Sequence, residues 1–305
     1  MKVGILVPQE GADLTKVVEH ARLAESLDFD SVWVEDHLRV IAVAPGSPVW
    51  EAWTTLTAVL LGTSTVRCGP LVLAEAFRNP AWLASAAATL DHLCDGRLNL
   101  GIGAGGYRAE YDSFGYPWLE GTERAERLAE ALEVMTGMWE GRAFTGRWYS
   151  GDGVADCPRP LQRPRPPIWI GGRGDALLRV AGRFADAWNA PLLPPDDVAE
   201  RAARLRTYAE AEGRPMPEVT YYGPVWVDED GDRVAARAER ARGSDNRNAR
   251  LYGERVVAGT PEQVVPRLRE YAEAGVTHFV CHFGRADVTT GTELFARDVL
   301  PALRG

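Results

Sequence analysis

The sequence predicts an α/β fold, a (β/α)8 TIM barrel with insertions at its C-terminal mouth, on three observations. Short β-rich apolar runs alternate with longer helical patterns along the 305 residues, which is the rhythm of βαβ units and a parallel sheet. Eight such runs follow one another without an obvious break, favouring a closed barrel over an open doubly wound sheet. The runs are apolar on both faces, as expected where helices cover one side and a packed interior fills the other.

The first strands are expected at 3–8, 31–35, 66–73 and 98–103, with helices at 14–27, 51–61 and 82–93 between them. In the first helix Leu14, Val17, Val18, Ala21 and Ala24 share one face, the spacing of a core-facing stripe. A fourth helix over 122–139 takes Thr122 as its N-cap and turns Leu128, Leu132, Met135 and Trp139 inward. Residues 141–167 are rich in glycine, proline and arginine and read as an insertion placed to cover the mouth. Alternation resumes with a strand at 168–170, a helix at 175–184, a strand at 187–189, a helix at 195–212 and a strand at 219–227. The polar, arginine-rich stretch 228–258 is a second insertion of helix and mobile loop. Thr260 caps a helix reaching Ala274, 277–283 is the eighth strand and 293–303 the closing helix. The whole of 1–305 is expected to form a single domain.

Hydrophobic residues at 46% and charged ones at 25% are ordinary for a globular protein. The formal net charge of -9 opposes general binding to nucleic acid or an acidic membrane leaflet. An anionic ligand must therefore be met locally, by backbone amides or arginine, since lysine occurs only at Lys2 and Lys16. No apolar stretch reaches the roughly 18 residues of a membrane span, and the N-terminal run is too short for a signal peptide. Cys68, Cys94, Cys157 and Cys281 form no CxxC pair, which suggests neither a zinc site nor a disulfide framework and fits reduced thiols in a cytoplasm.

In a closed barrel the chemistry belongs at the C-terminal ends of the strands. The second strand ends in Glu35-Asp36-His37, a carboxylate beside an imidazole able to titrate near neutrality; the plainer role is a turn cap beside a packed ring. The fourth strand runs into Gly101-Ile102-Gly103-Ala104-Gly105-Gly106, where glycines let the backbone approach a flat ligand and expose amide donors. A proper GxGxxG is absent. Glu110, just beyond, is a candidate proton donor or base. At Gly171-Gly172-Arg173-Gly174 a strand enters a helix through a glycine turn, which suits a phosphate or else makes a tight connection. His92 and His20 fit structural or surface positions, while His278 and His282 share one face of the eighth strand, His282 nearer the mouth. That spacing is not a helical metal pair, and no metal is expected.

Several of these segments form an ordered set: Ser31-Val32-Trp33-Val34-Glu35-Asp36-His37, Phe77-Arg78-Asn79-Pro80, Gly96-Arg97-Leu98-Asn99-Leu100-Gly101, Pro166-Pro167-Ile168-Trp169-Ile170-Gly171-Gly172, Ala185-Asp186-Ala187-Trp188-Asn189 and Gly259-Thr260-Pro261-Glu262-Gln263. Together they resemble the bacterial luciferase-like monooxygenase superfamily, particularly its branch using the deazaflavin coenzyme F420. The resemblance spans nearly the whole chain. It implies a cofactor ring across the barrel mouth, with Asp36 and His37 beside it and Ala104 and Gly105 along its edge. Beneath the ring it implies a bulged third strand with a non-proline cis peptide at Leu71-Val72. The cofactor phosphate is expected on Gly171, Gly172, Arg173 and Gly174, with His37 and Glu110 as catalytic residues. The implied reaction is hydride transfer between F420 and a small organic substrate. Its alternatives are an FMN-dependent two-component monooxygenase, fed by a separate flavin reductase, and a barrel that binds ligand without catalysis. The resemblance also suggests a homodimer.

Two departures stand out. Deazaflavin-dependent sugar-phosphate dehydrogenases carry a tryptophan four residues after the histidine, where this chain has Ile41 and a different loop over 42–49. A substrate contact is thereby lost, so a sugar phosphate is not expected. Cys94-Asp95 stands where relatives often have serine and glycine, in a turn of little consequence.

Overall fold

The computed structural model describes residues 1–40, 46–151, 156–284 and 288–305. Ile41 and the start of the departing loop lie outside the described residues. Eight barrel strands run parallel: β1 (Lys2–Leu6), β2 (Ser31–Val34), β3 (Arg67–Pro70, resuming as Leu73–Ala74), β4 (Leu100–Gly103), β5 (Ile168–Gly171), β6 (Ala187–Pro191), β7 (Glu218–Val227) and β8 (His278–His282). Along the sheet the order is β3, β2, β1, β8, β7, β6, β5, β4 and again β3. The two ends of that path are the two pieces of one interrupted strand. Arg67–Pro70 pairs with β2, and Leu73–Ala74 pairs with β4. The barrel therefore closes through β3, and a Cys68–Leu98 bridge joins its near end to the approach to β4.

Each face of the sheet has its own core. Inside the barrel, Leu6, Trp33, Trp169, Ala187 and Val280 form a plug on which Leu71 and Tyr222 pack. The rings of Trp33 and Trp169 lie 4.3 Å apart. Aromatic side chains of this kind bury about 150–250 Å², worth roughly 4–6 kcal/mol each at ~25 cal/mol per Å². Beneath the plug, Trp33 Nε1 donates to Ser31 Oγ at 2.7 Å, and that oxygen pairs with His278 Nε2 at 2.8 Å. Burial pushes the His278 imidazole down to about 4. His278 thus belongs to the barrel interior.

Outside the barrel the helices bury the faces their sequences mark. Leu14–Ser26 buries Val17, Ala21 and Ala24, and Asp13 caps it by accepting from the Thr15 amide at 3.0 Å. At Glu123–Glu140 the expected cap is not made. Thr122 is already helical, and its hydroxyl donates to Glu126 at 3.1 Å. The acidic first turn, Glu123 and Glu126, meets the positive helix end instead. The closing helix begins earlier than predicted, at Val288, and widens into π geometry over Phe295–Val299. Pro301 explains the widening, because it cannot donate to the Arg297 carbonyl and crowds it.

The two insertions behave differently. Residues of 141–167 form a small hairpin, Phe144–Thr145 with Ser150–Gly151, pinned to Glu123–Glu140. The Glu130 carboxylate accepts from the amides of Arg147, Trp148 and Tyr149 at 2.8, 2.8 and 2.6 Å. Tyr149 donates its hydroxyl to buried Glu75, which also pairs with Arg127 at 2.6 Å. Among the described residues of 141–167, none lines the mouth cavity. The stretch 228–258 folds into helices Gly231–Arg242 and Arg247–Arg255 and a short strand, Val257–Gly259, beside the end of β7. Its second helix reaches the cavity.

Candidate active site

The cavity of about 340 Å³ opens where β2 to β7 end, a size typical of small-molecule clefts. Its floor is the break in β3, where the Leu71-Val72 peptide is cis. Val72 wedges toward β4 and β5, and the glycines there explain how it fits. A Cβ on Gly101 would lie 1.9 Å from the Pro70 carbonyl oxygen, and one on Gly103 2.8 Å from Val72. The alternating glycines of β4 therefore accommodate the bulge, which side chains would exclude. Gly105, at φ +70, turns the chain over Tyr111, whose hydroxyl a Cβ there would meet at 1.8 Å.

Asp36 is nearly sealed, with both carboxylate oxygens engaged. Oδ2 accepts from the Ala74 amide at 2.8 Å and from Arg78 Nη1 at 2.7 Å, while Oδ1 accepts from Arg78 Nη2 at 2.9 Å. This charge-assisted pair ties the end of β2 to the far side of the β3 break. Asp36 lines the cavity while its carboxylate serves that tie.

His37 stands on the cavity wall, and Glu110 lies behind it. His37 Nδ1 is 3.1 and 3.2 Å from the two Glu110 oxygens. Glu110 Oε1 also accepts from the Leu38 and Arg39 amides at 2.8 and 3.2 Å. A carboxylate so held fixes the ring and its tautomer and leaves Nε2 for a ligand. Burial alone pushes the imidazole down, but the Glu110 hydrogen bond and the charges of Glu35, Glu110 and Asp36 outweigh it, raising it to about 9. Glu110 is not among the lining residues, so its geometry is that of a positioning group.

On the β5 side, Gly171 and Gly172 line the cavity, whereas Arg173 and Gly174 continue the turn outside it. Gly174 precedes helix Asp175–Phe184, and among the described residues no side chain caps its N-terminus. Asp175 is occupied by Tyr208 at 2.8 Å and Arg179 at 3.1 Å. Open amides at a positive helix end beside an arginine suit a phosphate. His282 lies outside the lining, its ring 5.5 Å from that of Tyr252, and burial followed by Arg237 pushes it down to about 4. Among the described residues, no group of three or more His, Cys, Asp or Glu could hold a metal ion.

The structure thus brings Asp36, His37, Leu71, Val72, Ala104, Gly105, Gly171 and Gly172 to one cavity. Sequence reading missed Glu35 and the far wall, Tyr222 with Asn248, Leu251 and Tyr252. The last three sit at i, i+3 and i+4 of Arg247–Arg255, behind an Asn246 cap, so helical spacing was the signal available. Burial, then the charges of Glu10 and Glu110, raise Glu35 to about 7 against the opposing pull of His37.

The residues fit a flat ring cofactor. A glycine- and alanine-edged slot lies over the β3 break, with open amides at one end and a held imidazole on its wall. This is the site of a ring-binding (β/α)8 enzyme. The chain belongs to the luciferase-like monooxygenase family, whose model matches residues 1–254. It is 30% identical to the F420-dependent glucose-6-phosphate dehydrogenase of Intrasporangium calvum, covering 100% of this chain and 99% of that protein. It is 29% identical to the F420-dependent hydroxymycolic acid dehydrogenase of Mycobacterium tuberculosis, covering 99% and 88%. Its fold matches that of an F420-dependent secondary alcohol dehydrogenase, solved with an F420-acetone adduct, at a TM-score of 0.87 and 24% identity over 100% and 99% of the chains.

Proposed function

We propose that the protein is an oxidoreductase transferring a hydride between coenzyme F420 and a small organic substrate. The observation that carries this reading is His37, held from behind by Glu110 and presented over the slot. Leu71, Val72 and Gly103 to Gly106 would support the ring, while Gly171, Gly172, Arg173 and the first amides after Gly174 would hold its phosphate. When bound, the deazaflavin supplies a two-electron hydride acceptor or donor. His37 Nε2 exchanges the substrate's proton, and Glu110 keeps the ring aligned. The chain otherwise orients the substrate and excludes water.

Fluorescence titration of the purified protein with F420 and with FMN tests the reading. Binding of F420 is expected, and tight FMN binding with none for F420 overturns it in favour of a flavin monooxygenase. Arg173→Ala is expected to weaken cofactor binding about tenfold, with little change in turnover at saturating cofactor.

We also propose a homodimer of one-domain chains working in a reducing cytoplasm. Leu61, Trp82 and Leu93 are 59, 53 and 58% exposed on helices Ala52–Gly62 and Pro80–Leu93, and Trp53 meets Trp82 edge-on at 6.4 Å. Exposed apolar side chains of this size favour a partner surface. Sedimentation should show a dimer that Trp82→Asp converts to monomer; a monomeric parent protein rules the pairing out. Cys68, Cys94 and Cys281 are buried free thiols. No helix among the described residues is long and apolar enough to cross a membrane.

A further inference from the structure

We infer that this cavity, taken as the hydride-transfer site proposed above, selects an uncharged alcohol or carbonyl compound and rejects a phosphorylated one. The Tyr222–Tyr252 hydroxyl pair would grip the substrate's polar end, with Glu35 repelling an anion.

Three observations carry the inference. First, among the described residues no lysine or arginine lines the cavity, while Glu35 does. Arg78, the arginine at the end of β3, is committed to Asp36 and Glu51. The one cationic group on the described wall, His37, is already paired with Glu110 at 3.1 Å, so a phosphoryl dianion would meet no uncompensated positive charge and, above about pH 7, the Glu35 carboxylate, although such groups are normally received by arginine forks, lysine or helix amides. The open helix amides of this site lie at Gly174, beyond the cavity lining and on the side assigned to the cofactor phosphate.

Second, Tyr222 and Tyr252 both line the cavity, and their hydroxyl oxygens are 2.7 Å apart. Two hydroxyls bonded to each other use one proton between them and leave the second free to donate. A neutral hydroxyl or carbonyl oxygen can take that proton. Both phenols are held well above their ordinary range, by burial first and then by neighbouring acidic groups, Glu35 among them, so they remain donors. Third, Tyr252 comes from the insertion helix Arg247–Arg255, whose Leu251 adds an apolar contact to the same wall. The pair thus offers one donor beside apolar surface, a match for a small neutral molecule.

In the forward direction the substrate's C–H bond breaks with its electron pair passing to oxidised F420. The O–H proton passes to His37 Nε2, and the C=O bond forms. Reduction reverses each transfer. The relatives named for glucose 6-phosphate act on an anionic sugar, so the inference separates this chain from them.

Calorimetry at about pH 8, where Glu35 is ionised, with the matched pair glucose and glucose 6-phosphate, on protein with and without bound F420, tests it. A preference for the neutral partner of at least about tenfold is expected. Glu35→Gln should narrow that preference by at least fivefold, and Tyr252→Phe should weaken the neutral partner more than the anionic one. In turnover assays with a panel of small secondary alcohols, Tyr252→Phe should raise KM by a larger factor than it lowers kcat. Equal or stronger binding of glucose 6-phosphate, or no preference between the two, overturns the inference. Failure to bind F420 at all would instead count against the oxidoreductase reading, since the preference is also read without cofactor.

Discussion

Replacing His37 by alanine is expected to lower kcat by about 10²–10⁴-fold, the usual contribution of a positioned proton-transfer group, while F420 affinity stays within about tenfold. Nδ1 faces Glu110 at 3.1 Å, so Nε2 is the nitrogen left for the substrate, and no other imidazole lines the cavity among the described residues. With the imidazole raised to about 9, alcohol oxidation, which needs neutral His37, should increase with pH toward that value. Carbonyl reduction needs the cation and should decline above it. Glu110→Gln removes a hydrogen bond and a charge that together help outweigh burial, so both inflections should move to lower pH. Profiles of kcat/KM in the two directions check this. Wild-type turnover in His37→Ala, or an unmoved inflection in Glu110→Gln, contradicts the assignment.

The parts of this site that were legible in the sequence are those written in backbone. Gly101, Gly103, Gly105, Gly171 and Gly172 announce close approach because only the absence of a Cβ permits it, and the structure supplies the neighbours that a Cβ would strike. The eight strands were legible because each is a short apolar run between turn residues. Partnership was harder to read. A glutamate seventy-three positions from a histidine carries no local mark saying that it holds the ring and does not face the substrate. Nor does an aspartate beside that histidine reveal that Arg78 claims both its oxygens. The Arg247–Arg255 helix was obscured by its own charge: its arginines read as a solvated stretch, although Asn248, Leu251 and Tyr252 make one inward face. Thr122 shows the opposite error, a residue type suited to capping whose hydroxyl turns to Glu126 instead.

Removing Arg78 is expected to produce the largest loss of stability of any single change at the site. Asp36 is 1% exposed at its side chain and Arg78 11%, and their bidentate contact is the main compensation for burying that carboxylate. In Arg78→Ala the carboxylate keeps, among the described residues, only the Ala74 amide. Stripping one partner from a buried ion pair costs about 3–5 kcal/mol, because an uncompensated charge remains. For a chain of this size that corresponds to a fall in Tm of roughly 6–20 °C, at about 2–4 °C per kcal/mol. Urea unfolding should report the same deficit as a lower midpoint with an unchanged slope. The double variant Asp36→Asn with Arg78→Ala should recover part of the loss, since the amide needs no counter-charge, and that recovery separates charge from lost packing around the arginine stem. The consequence reaches the chemistry through Ala74. Asp36 anchors the second piece of β3 to the end of β2, so the floor beneath the ring depends on a carboxylate that Arg78 alone neutralises bidentately. Arg78→Ala should therefore also weaken F420 binding at temperatures well below its Tm. A variant that loses less than about 1 kcal/mol and binds F420 unchanged would show the pair to be dispensable.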